Sequence, residues 1–254
     1  MGKTSGGRNL QVVSWTGAVA LAAALQRMQV PLRSRLRAAF RRHNTALIDI
    51  GGDPLSEDWT KFRPLRLSRE EDWSDWLAWL IEKSKSGRFA ARLFGRSAKT
   101  SMLPTVTREE RLEQHRVDLR IEWRGADART GTESTAVEVK VGDQQFAKTK
   151  SAANAHRRVY AAVRCDDWIL VPSTDREACA VAGVTTLTWD DVAMALRQSL
   201  RNARESMAWR IWARAFLGAV EQRLLGFPHS GEFDSALDVT ACLKHLEVSD
   251  GERN

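Results

Sequence analysis

The feature that most constrains the fold is a pair of alternating runs in the middle of the chain, Asp118-Leu-Arg-Ile-Glu-Trp123 and Ala136-Val-Glu-Val-Lys-Val141. A period of two marks half-buried strands. The spacing predicts strands over 116–123 and 135–141, joined by a segment, 124–131, of turn composition. Val137, Val139 and Val141 then point into a core, and Glu138 and Lys140 share the opposite face. Two neighbouring strands that carry Asp118, Glu138 and Lys140 together hold the parts of a divalent-metal site with a cation beside it.

The rest of the chain supplies helices around this pair. Residues 12–28 and 31–43 read as two helices broken at Pro31. The first includes the apolar stretch Val12–Leu25, which is too short to span a bilayer and reads as an Ala-rich packing helix rather than a signal peptide. The second carries Arg33, Arg37 and Arg41 beside an apolar stripe of Leu32, Leu36 and Phe40. It suits either a nucleic-acid-facing helix or a solvated basic face. Residues 49–67, with Gly51, Gly52, Pro54 and Pro64, read as a connector. A helix is expected from Ser68, as N-cap with Glu71 in a capping box, to about Lys85. Glu70 lies on its apolar stripe with Trp73, and Glu71 on the flank.

Residues 86–104 form a basic stretch with Arg88, Arg92 and Lys99. Past the strand pair, a helix is expected over about 144–163, short strands over 168–171 and 184–187, a helix start at Thr188-Trp-Asp-Asp191, and an amphipathic helix over 207–225. The order predicts an α/β domain, a mixed β-sheet flanked by helices, with an N-terminal helical extension. The expected divisions are 1–48 for that extension, 49–67 for the connector, 68–227 for the main domain, and 228–254 for a weakly ordered tail with a short helix near 234–246.

Composition narrows the partners. The net charge of +7 over 254 residues makes an acidic polymer a natural one. Three widely spaced cysteines give neither a disulfide framework nor a zinc spacing, which fits a reducing, cytoplasmic setting. The five histidines show no paired metal spacing, and no Gly-x-Ser-x-Gly or Cys/His arrangement suggests acyl transfer. The ten tryptophans fall mostly at core positions, so packing is their first explanation.

Phosphodiester hydrolysis needs a cation on the scissile phosphate and a polarised water. Mg²⁺ takes hard oxygen ligands. Asp118 and Glu138 offer two carboxylates, and the Val139 carbonyl a third oxygen. Lys140 is placed to orient or deprotonate the water, or to offset developing charge.

Asp118, nineteen intervening residues, and Glu138-Val-Lys140 resemble the motif of the PD-(D/E)XK, or restriction-endonuclease-like, nuclease superfamily. Val117 stands where the naming proline would be. The resemblance spans roughly residues 68–225 and implies a restriction-endonuclease-like core and a Mg²⁺-dependent endonuclease, with Mn²⁺ able to substitute. It implies DNA ahead of RNA as substrate, and a role in prokaryotic defence, restriction or repair. It also implies a glutamate from the preceding helix in the metal site, Glu70 first and Glu71 second. A glutamine on the following helix would line the site, Gln145 or its alternate Gln144. Arg33, Arg37, Arg41, Arg92 and Lys148 are the expected backbone contacts. No membrane partner is expected, and a homodimer or a partner protein of a defence complex fits the family. The alternative is a non-catalytic nucleic-acid-binding or docking subunit with the same fold.

Overall fold

The computed structural model describes residues 15–60, 63–96, 103–124, 131–142, 146–229 and 235–250. Five strands, β1 (Thr105–Leu112), β2 (His115–Arg124), β3 (Thr132–Val139), β4 (Arg164–Val171) and β5 (Thr185–Thr188), form one sheet in the order β1-β2-β3-β4-β5. β1, β2 and β3 are an antiparallel meander, while β4 and β5 run parallel to β3. Parallel neighbours need a crossover. α4 (Ala147–Val159) makes the first, and the segment 172–184 with one 3₁₀ turn makes the second.

Helices cover both faces, as the sequence predicts for a mixed α/β sheet. On one face α2 (Glu70–Lys83), α3 (Arg88–Leu93), α5 (Trp189–Leu200) and α6 (Met207–Ala219) enclose the main core. Leu119, Ile121, Trp123, Val137 and Val139 meet Trp73, Leu77, Phe89, Trp189, Trp209 and Phe216 there. On the other face α4 lays Ala152 and Ala155 against Ala136, Val117 and Leu112. Trp73, Trp189 and Trp209 are fully or almost fully buried, so their area goes into packing.

Several local expectations are corrected. α1 (Trp15–Ala46) is one continuous helix through Pro31, not two. Proline removes one backbone donor. The Ala-, Leu- and Arg-rich flanks favour helix on both sides of it. α2 is capped one residue later than expected: Arg69 is the N-cap and Asp72 closes the box. The Asp72 carboxylate accepts from the amides of both Ser68 (2.9 Å) and Arg69 (2.8 Å), which Glu71 does not. β1 has no period-two signal in the sequence, because Thr105–Leu112 carries charges at Arg108, Glu109, Glu110 and Arg111 and lies on an exposed edge. The basic stretch holds the short helix α3.

The connector is a packed strap of 3₁₀ turns that buries Ile50, Leu55, Trp59, Leu65 and Leu67. The tail is a full helix, α7 (Ala236–Asp250). Val239, Leu243 and Leu246 pack on Leu36 and Ala39 of α1 and on Leu55 of the strap. The two ends of the chain therefore share a second small core. Among the described residues no helix is long and apolar enough to cross a membrane.

Candidate active site

The site arises where the sheet comes apart. The β2–β3 ladder ends at Leu119–Val137, one position short of Asp118 and Glu138. The β1–β2 ladder skips the Glu109–Asp118 pair, and Glu109 has a left-handed backbone, φ 50°. Val117 and Leu119, two residues apart, lie in different cores. β2 thus rotates about Asp118, as strands do at irregularities beside functional sites. The lost ladder bond is replaced by a side chain: the Val139 amide donates to Asp118 Oδ2 at 2.7 Å.

Three segments converge on this opening. Asp118 comes from β2, Glu138 from β3 with Lys140 just past its end, and Glu70 from the first turn of α2. Glu70 Oε1 accepts from the Val141 amide at 2.8 Å, and Glu70 Oε2 lies 3.6 Å from Lys140 Nζ. Lys140 Nζ is 3.0 Å from Glu138 Oε1. These four side chains, with Glu71, Ser74, Gln114, His115, Arg116, Lys148 and Ala152, line a cavity of about 520 Å³.

The electrostatics follow from that crowding. Burial, then the Glu138 carboxylate, push the Asp118 carboxyl up to about 6, against the pull of the Val139 amide and Lys140. Burial disfavours the Lys140 ammonium, but Glu138, Glu70 and Asp118 outweigh it and hold its pKa above the ordinary lysine value. Three carboxylates face one ammonium, so the cavity floor carries an excess of negative charge.

Among the described residues no three His, Cys, Asp or Glu side chains are arranged to hold a metal ion as they stand. Lys140 stands between Glu70 and Glu138, and amides engage one oxygen each of Glu70 and Asp118. The donor set is nonetheless all hard oxygen, the ligand chemistry that Mg²⁺ takes.

The other expected residues divide. Glu71 lines the cavity but is more exposed than Glu70. Val139 turns its side chain into the core and its amide to Asp118. Gln144 and Gln145 lie outside the described residues, as does Lys99. Lys148 reaches the cavity. Arg33, Arg37 and Arg41 are exposed on α1, Arg92 is half-buried on α3, and none of these four lines the cavity.

Two supports of the site have no signature in the sequence. Trp189, the first residue of α5, donates its indole N–H to the Lys140 carbonyl at 2.9 Å and packs edge-on against Trp73 of α2, with centroids 5.4 Å apart. One indole thus braces both the strand end with Lys140 and the helix with Glu70. The Thr188-Trp-Asp-Asp191 pattern signals the helix start but not this contact.

The second is a buried relay. Ser134 Oγ lies 2.8 Å from His156 Nε2, and His156 Nδ1 lies 2.8 Å from Asp167 Oδ1. The connectivity is that of a hydrolytic triad. All three are closed to solvent (1%, 0% and 5% exposed), so no substrate can reach the serine. The relay ties α4, and Lys148 with it, to β3 and β4.

No protein-family model, no curated protein and no solved structure matches this chain.

Proposed function

We propose that this protein is a Mg²⁺-dependent nuclease that hydrolyses phosphodiester bonds of DNA, built on a restriction-endonuclease-like core and serving prokaryotic defence, restriction or repair. The observation that carries the reading is the convergence of Glu70, Asp118, Glu138 and Lys140 from three separate segments on one open cavity. The surplus of negative charge there supports a cation site.

Glu70, Asp118 and Glu138 would hold the metal, with Glu71 as the outer alternate for Glu70. Bound Mg²⁺ supplies a Lewis acid that polarises the phosphate and the attacking water. Lys140, fixed by Trp189 through its carbonyl, orients that water and offsets the charge that grows on the phosphoryl oxygens. The Val139 amide holds the Asp118 carboxylate in one orientation. Mn²⁺ fits the same oxygen donors.

The test is plasmid DNA with purified protein in Mg²⁺, in Mn²⁺ and in EDTA, alongside Glu138→Ala and Lys140→Ala. Metal-dependent nicking or linearisation that falls at least about 100-fold in both variants supports the reading. Undiminished cleavage by folded Glu138→Ala would sink it. The second reading, a nucleic-acid-binding or docking subunit without chemistry, draws on the Lys140 pairing, which gives two of the carboxylates a partner without metal. Salt-sensitive DNA binding with no cleavage in any metal would favour it.

A further inference from the structure

We infer that the β1–β2 turn and the start of α4 form the substrate-holding wall of this cavity, with Gln114, His115, Arg116 and Lys148 gripping the phosphate next to the one that is cut. The inference rests on the nuclease reading and extends it to residues that the metal chemistry does not use.

The cavity lining is mixed. Glu70, Asp118 and Glu138 share it with Gln114 of the β1–β2 turn, His115 and Arg116 at the start of β2, and Lys148 at the start of α4, which bring amide, imidazole, guanidinium and ammonium donors. Carboxylates and donors in one cavity match a metal-bound phosphodiester, whose cation belongs beside the carboxylates and whose neighbouring anion belongs beside the donors.

Two of these four side chains are unspent: those of Gln114 and Lys148 have no hydrogen-bond or ion-pair partner among the described residues, although carboxylates share their cavity. Among the described residues Arg116 pairs with Glu109 alone, at 3.5 Å, with about half its side chain exposed. Glu113, the one acid in the turn, is drawn off by Arg158 at 2.6 Å and does not line the cavity.

The backbone is shaped to place these groups. Leu112 pairs with His115 across a two-residue turn, and Glu113 is left-handed there at φ 56°. Glu109 repeats that conformation where β2 rotates. Non-glycine residues resist this region, and they persist in it where the surroundings over-determine the chain. The buried Ser134–His156–Asp167 relay fixes α4, which makes Lys148 a charge on a rigid mount.

The experiment uses a fluorescein-labelled DNA duplex and the matching single strand as probes. Kd is read by anisotropy in EDTA, and KM and kcat from cleavage in Mg²⁺. For the double variant Arg116→Ala/Lys148→Ala we expect Kd and KM to rise about 10-fold or more, the salt dependence of binding to flatten by about one phosphate contact, and kcat to stay within about threefold. Lys148→Arg should bind as the wild type does. Both side chains are exposed, so an unchanged Tm verifies the fold. Wild-type Kd and KM in the double variant, with cleavage intact, would overturn the wall and leave the nuclease reading standing. A loss confined to kcat would overturn it as well. A wild-type protein that cleaves in no metal would remove the nuclease reading and this inference with it.

Discussion

Two charged clusters in this molecule are built in opposite ways. At the cavity, three carboxylates face one lysine, and Asp118 is pushed up to about 6. At the junction of the strap, α5, the π-helical turn Val220–Leu224 and α7, Arg197 is buried between Asp53 and Glu221, and every oxygen of those two carboxylates accepts a hydrogen bond. Arg197 Nη1 meets Asp53 Oδ2 at 2.8 Å, Nη2 meets Glu221 Oε2 at 2.8 Å, and His245 Nε2 stands 2.9 Å from Glu221 Oε1. Burial raises the cost of the Asp53 charge, but Arg197 outweighs it and holds that carboxyl below its usual value. Both clusters are desolvated, and only one is satisfied. Charge left uncompensated beside an open cavity is useful for chemistry, whereas charge buried to hold the fold must be paired.

Breaking the matched cluster should have the largest effect on stability. Arg197→Met leaves Asp53 and Glu221 buried without their cation, and urea unfolding should show a loss of about 3–5 kcal/mol. A loss below about 1 kcal/mol would mean that water reaches this cluster and that the contrast is false.

Relieving the unmatched cluster should do the reverse. Asp118→Asn, measured in EDTA at pH 8, should gain about 1–2 kcal/mol while abolishing cleavage. The sign follows from linkage. The folded-state pKa of Asp118 lies near 6, above the ordinary 3.8, so the folded protein holds the extra proton between those values. Stability of the wild type therefore falls as pH rises through about 4 to 6, and the cost is fully present above that window. Asn removes the cost, so the gain should be present at pH 8 and gone below pH 4. A gain that is the same at both pH values would show that charge is not its cause.

The smallest effect belongs to an exposed pair. Arg35 and Glu247 join α1 to α7 at 2.8 Å, with side chains 59% and 39% exposed. Glu247→Ala should change the unfolding free energy by no more than about 0.5 kcal/mol. A larger loss would show that the small core between the chain ends depends on this pair as well as on Leu36, Val239 and Leu246.

Legibility in the sequence followed how local each signal is. β2, β3, α4 and the Thr188 start of α5 were readable because side-chain period and caps are written within a few residues. β1 was not readable, because an edge strand with one solvated face carries charge where a buried strand carries valine. The tail shows only a short helix near 234–246 in its sequence, because the full helix gains order from contact with α1, which is more than 180 residues away in sequence. Glu70 was readable from its stripe on α2, but the Val141 amide that holds it was not. Arg33, Arg37 and Arg41 stand out by composition as backbone contacts, and only the fold shows that they lie on α1 and do not line the cavity.

The sequence by itself determined the alternation that makes two strands, the carboxylates and lysine they carry, the helices on both sides of the sheet and the surplus of positive charge. Only the tertiary structure decided that the strands part at Asp118, that Lys140 sits between Glu70 and Glu138, and that Trp189 braces both. Periodicity and charge are properties of neighbours along the chain. The parting of strands and the crowding of carboxylates are set by packing between segments far apart in it, where burial sets which charges are neutralised and which are left exposed to a ligand.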